Sequence, residues 1–241
     1  MKRKIVMCFL FFSILVKADN IHASSIKVLN DAGKQSTTVE AVVNRYCEAV
    51  AGSKEACLKV NSLVLIGTMT LADNSHFTKG NLEIKYKKPN KYIHKYSSNG
   101  QTMISGFDGQ KFFSNISESS SQIVPVIFGE LYLSNENAFF DGTDLIAGQK
   151  AYRVVSELGN AKNVMFFDIE SGLKLREEYV ENNKIMGIKI FSDYKLFDGY
   201  LLPTTISTAG SGMFVVQNIK RYKINSIIDD SQFQLPRNKT F

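Results

Sequence analysis

The stretch from Ile185 to Pro203 constrains the fold of this chain more than any other. Met186, Ile188, Ile190 and Tyr194 fall on one parity, and Gly187, Lys189 and Asp193 on the other, the two-residue period of a half-buried strand. After Ser192-Asp193-Tyr194, the step Asp198-Gly199 accommodates the positive φ of a tight hairpin turn, and Tyr200-Leu201-Leu202 begins the return strand. Such a hairpin commits the chain to a sheet. Parity predicts that the side carrying Met186, Ile188 and Ile190 is its greasy face.

The N-terminus predicts export. Lys2-Arg3-Lys4 precedes an apolar run from Ile5 to Val16, and small residues follow at Ala18 and Ala23. The run is too short for a bilayer core, which needs about 20 residues of helix. Cleavage fits after Ala18 or after Ala23. The polar Ser24-Ser25 favours the second, leaving 1–23 as signal peptide and 24–241 as a single domain. The leader holds Lys2, Arg3, Lys4 and Lys17 against Asp19, half of the formal charge of +6. The remaining lysines, such as Lys85, Lys87, Lys91 and Lys95, are scattered along strands as solvated faces, and nucleic acid is not an expected partner. Cys47 and Cys57 survive processing into an oxidising compartment, where a disulfide is the natural pairing; two buried free thiols are the alternative.

Along the mature chain, Thr37 and Glu40 fit a helix capping box, and Val39, Val42, Val43, Tyr46 and Val50 form an apolar stripe that needs a sheet to cover. Gly52-Ser53 ends this helix, and Lys54 to Val60 forms a short second turn returning Cys57 towards Cys47. From Ser62 onward the period becomes extended, with Gly67 where a strongly curved strand bends. Strands follow at 81–87, 91–97, 103–107 and 111–116, then at 151–157, 163–168 and 174–180, the hairpin already described, and 212–223. This is an antiparallel meander. Alternation lapses between Ser117 and Asp141, an apolar insertion lying over the sheet as a core plug or a movable lid. Residues from Ile224 to Pro236 form the tail.

No pattern supports catalysis, a cofactor or a metal. Gly210-Ser211-Gly212 lacks nucleophile-elbow spacing, Asp193 and Asp229-Asp230 sit where solvated turns are expected, and no phosphate-binding glycine loop occurs. His76 and His94 have no partner at ligand spacing. The expectation is a non-catalytic binding protein.

Several phrases together resemble the periplasmic lipoprotein-sorting superfamily, the LolA, LolB and LppX-like proteins. They are Tyr46 to Ala49 with Gly52, Gly106-Phe107-Asp108-Gly109, Phe167-Asp168 with Ser171-Gly172-Leu173, Ser192-Asp193-Tyr194 with Asp198-Gly199 and Leu202-Pro203, and Ile224-Asn225 with Asp229-Asp230 and Phe233. The chain departs in carrying Phe112 and no tryptophan, and in offering no arginine assignable as a lid latch. The resemblance implies a mainly β fold, an unclosed barrel of about eleven antiparallel strands wrapped around N-terminal and lid helices. It implies a periplasmic carrier or receptor whose cavity receives lipid or lipoprotein acyl chains, with peripheral membrane contact. The alternative is an envelope protein-interaction or stress-sensing module of the same fold. Leu65, Ile84, Phe112, Phe167, Ile188, Ile190 and Phe214 are then the expected lining from one parity of neighbouring strands, with Phe128 and Leu131 above them as lid.

Overall fold

The computed structural model describes residues 37–73, 76–115, 138–210 and 212–235. The leader and the lid residues Phe128 and Leu131 lie outside them.

Helix α1 spans Val39–Ala51. Its N-cap is Thr38 rather than Thr37, with the Thr38 hydroxyl accepting from the Ala41 amide at 3.1 Å. Glu40 closes no capping box; it reaches forward and accepts from Lys54 Nζ at 2.9 Å. Gly52 ends the helix in the left-handed conformation, φ 76°, which a side chain would strain. Ser53 then caps α2, Lys54–Leu58. The turn between the helices brings Cys47 and Cys57 to a Cα separation of 5.5 Å, and they form a disulfide.

Twelve strands follow in one antiparallel sheet: β1 Ser62–Ala72, β2 Phe77–Lys87, β3 Lys91–Ser98, β4 Gln101–Phe107, β5 Phe112–Ser114, β6 Ala138–Ile146, β7 Gln149–Leu158, β8 Ala161–Asp168, β9 Lys174–Glu181, β10 Lys184–Phe197, β11 Tyr200–Gly210 and β12 Met213–Ile224. Their spatial order is β5-β4-β3-β2-β1-β12-β11-β10-β9-β8-β7-β6. Two meanders thus meet where β1 pairs with β12, and β5 and β6 are the sheet's edges among the described residues. The barrel is unclosed.

The strand the sequence did not reveal is β6. Its alternation is interrupted by a register shift between Phe140 and Thr143, where Gly142 has φ 83°. That bulge hides the two-residue period. The shift between Ile66 and Gly67 falls where the sequence places a bend, and Asp198 and Gly199 form the expected turn, with φ 48° and 86°.

The sheet curls around α1. The helix touches both β6 and β11, which five strand-to-strand steps separate. At about 4.8 Å per step a flat sheet would hold them some 24 Å apart, whereas a helix is only about 10–12 Å across. Val42, Tyr46, Cys47 and Val50 bury against Val154, Met165 and Phe167 on the concave side. A second concave cluster joins Leu63, Leu65, Leu82, Ile84, Phe191, Ile206 and Tyr222. On the convex side, the segment after β12 folds back over β1, β3 and β4, placing Ile228 and Phe233 against Val64, Ile93 and Ile104. The tail is thus a clamp. Lys87 and Lys91 hold Asp230 at 2.7 and 2.6 Å.

Candidate functional site

The concave wall is the candidate site, and several phrases that carry the sequence resemblance serve to build it. The turn after β8 is fastened by Asp168, whose carboxylate accepts from the Ser171 amide and hydroxyl at 2.8 and 2.6 Å. It docks on α1 through an Arg45 bond to the Glu170 carbonyl at 2.8 Å. Gly172 makes that approach possible, because a Cβ there would meet the Arg45 carbonyl oxygen at 2.9 Å. Tyr194 donates to the Lys174 carbonyl at 2.7 Å and Tyr222 to the Pro203 carbonyl at 2.6 Å, tying β9, β10, β11 and β12 together. Burial pushes the Tyr222 hydroxyl up from its ordinary range, so it stays a donor.

The structure divides the predicted lining between two faces. Leu65, Ile84 and Phe167 lie on the concave side, buried in its packed core. Phe112 joins them at the edge, in a register row running Leu63, Tyr86, Tyr92, Phe107, Phe112. Ile188, Ile190 and Phe214 are on the convex side instead. Phe166 pairs with Arg176 and Arg176 with Ile190, which places Ile190 on the face opposite Phe167. Phe214 pairs with Ala72, opposite in parity to Leu65 within β1. Phe191 is concave, so Ile188 and Ile190 of the greasy parity face outward, while Tyr194, beyond the positive φ of Asp193, packs on the concave cluster. Around Ile188 a row Ile188, Ala209, Phe214, Ala72, Phe77 crosses five strands on the convex side, with Phe77 72% and Phe214 48% exposed.

Beyond the helices the concave wall continues through Met69, Leu71 and Val215, which stay partly accessible. Polar groups interrupt it. Lys174, 1% exposed, pairs with Glu177 at 3.1 Å and lies 4.1 Å over the Phe191 ring. Lys189 is the register neighbour of Glu177 and faces the same way. On the opposite arm, His94 and Tyr96 alternate with Ile93 and Lys95 on β3, His94 opposite Ile84 and Tyr96 opposite Leu82. Burial, and then the charge of Lys189, lowers the His94 imidazole to about 4, so it is neutral at neutral pH. Sequence reasoning passed over Lys174 and Glu177, for which no local signal exists. It also passed over the triplet Tyr92, His94, Tyr96, whose i, i+2, i+4 spacing is such a signal. Among the described residues, no group of three or more His, Cys, Asp or Glu side chains is placed to hold a metal ion. Clefts of about 410 and 480 Å³ border the C-terminal clamp and lie away from the concave wall.

No protein-family model matches the sequence, and no curated protein does. Solved structures do match. A LolA superfamily protein from Nitrosomonas europaea superposes with a TM-score of 0.60 at 11% identity, over 83% of this chain and 98% of that one. A DUF1329 family protein from Desulfovibrio piger gives 0.52 at 11% identity, over 82% and 97%. The twelve-stranded unclosed sheet curled around α1 is therefore the fold of the LolA superfamily.

Proposed function

We propose that this protein is an exported, non-catalytic carrier or receptor that holds lipid, or the acyl chains of a lipoprotein, against the concave wall of its sheet. The observation that carries the reading is the apolar wall continuing past α1 through Met69, Leu71 and Val215, on a sheet whose edges β5 and β6 do not close. Burying each methylene is worth about 0.8 kcal/mol, so a chain is held there without any charged contact. An unclosed barrel can release such a chain by widening, with no bond to break. The fold shared with the LolA superfamily protein supports this reading. Periplasmic residence follows from the leader of residues 1–23, read from sequence.

The test is lipid extraction from protein purified without detergent, followed by mass spectrometry. Recovery of stoichiometric lipid is the expected result. Absence of lipid, together with no binding of the fluorescent fatty acid cis-parinaric acid, would overturn it. One observation favours the alternative, a protein-contact module: the exposed convex row through Phe214 and Phe77. Under that alternative, Phe77→Ser and Phe214→Ser abolish capture of an envelope protein while lipid is found in neither parent nor variant.

A further inference from the structure

Among the described residues, two polar atoms of the concave wall have no partner. Tyr96 is 5% exposed, and its hydroxyl oxygen is buried with no hydrogen bond. Its ring is fixed in place by close packing over Gly80, where an added Cβ would lie 2.8 Å from Cε2. Two residues earlier on the same face of β3, His94 Nε2 is likewise buried and unpaired, while its ring packs edge-on against Tyr92 with centroids 5.7 Å apart. Buried polar groups are satisfied in the great majority of native interiors. Two on one face, about 7 Å apart along a strand, are a pair of donors waiting for an acceptor.

The surroundings specify that acceptor. Lys189 acts on His94 through its charge, so an ammonium group shares this interior with the Lys174–Glu177 pair beside it, and no carboxylate projects on this face of β2 or β3. A neutral imidazole in its Nε2–H tautomer and a phenol both donate, and a nearby cation favours a negative acceptor over a carbonyl. The wall leading away from them, through Leu82, Ile84 and Leu65, is hydrocarbon.

Resting on the lipid-binding reading above, we propose that His94 and Tyr96, in the field of Lys189, bind the oxyanion head of a lipid, a carboxylate or a phosphate, whose chain lies along the concave wall. The pair makes the protein selective for ionised amphiphiles over neutral ones. Selectivity arises because hydrogen bonds from these donors to an oxyanion are about twice as strong as those to a neutral carbonyl.

Titration of the full chain with cis-parinaric acid and with its methyl ester tests this at neutral pH. The parent is expected to bind the acid about tenfold more tightly, since one hydrogen bond to a charged group is worth at least that much. Tyr96→Phe and His94→Leu should each bring acid affinity down towards that of the ester and weaken ester binding much less. Tyr96→Phe should melt no lower than the parent, because it removes only an unpaired hydroxyl. Equal affinity for acid and ester in the parent, or unchanged acid affinity in both variants, overturns the head-group site and spares the lipid reading. Binding of neither probe overturns both. Displacement of the acid by inorganic phosphate alone shows a free-anion site and overturns the lipid assignment.

Discussion

Phe167 and Phe214 are both aromatic residues within strands, yet they differ more than any substitution scale would suggest. Phe167 is 1% exposed and meets the Tyr46 ring edge-on at a centroid distance of 5.5 Å, whereas Phe214 is 48% exposed on the convex side. Truncating a buried phenylalanine leaves a cavity and costs about 3–5 kcal/mol. Phe167→Ala is expected to lose that much in chemical denaturation, and Phe214→Ala to lose under about 1 kcal/mol. Similar losses would contradict the assignment of the two faces. The same contrast separates Leu65 from Ile190, although both were expected to line one cavity.

At the level of elements, the segment after β12 has the most distinct role. Ile228 and Phe233 cover convex side chains of β1, β3 and β4, and Asp230 joins the cover to β2 and β3 through Lys87 and Lys91. Hydrogen bonds from those lysines lower the Asp230 carboxyl from 3.8 to about 2. A folded-state pKa below the unfolded one gives stabilisation that is complete above the unfolded value and lost as pH falls through the folded one. Hydrogen exchange of residues 226–235 should therefore stay protected above about pH 4 and open as the pH approaches 2. Asp230→Asn should show the opened pattern at neutral pH. Equal protection in parent and variant would mean that Ile228 and Phe233 hold the segment unaided. The sequence showed Asp229-Asp230 as turn acids, and Asp229 does cap the turn by accepting from Ser231 N at 2.8 Å. The lysine contacts of Asp230 lie about 140 residues away in sequence, beyond any local pattern.

Across the whole molecule, α1 is the form around which the sheet bends, so its packing and its tether affect every strand. Val42, 1% exposed, meets the concave cluster formed with β7 and β8. Val42→Asp would place an unpaired carboxylate there, and loss of the cooperative thermal transition is expected. The disulfide closes a short loop between α1 and α2, with a sequence separation of 10. The loop-entropy estimate for such a closure is about 3 kcal/mol. Cys47→Ser with Cys57→Ser should lower stability by that order while retaining the sheet's circular dichroism. Retention of full stability in the double variant would leave the tether without a thermodynamic role.

The sequence determined what depends on near neighbours along the chain: the end of α1 at Gly52, the Asp198-Gly199 turn, the bend at Gly67 and the meander. These follow from backbone sterics and from two- and three-to-four-residue periods. Tertiary structure decided which parity faces inward. Alternation along β10 separates Ile188 and Ile190 from Lys189 and Phe191, but it carries no sign. The sign is set where Phe191 joins Leu65, Ile206 and Tyr222, from strands on both sides of the β1–β12 seam, in one cluster. Only the curl of the sheet around α1 could turn that face inward and bring Lys189 within electrostatic reach of His94, five strands away.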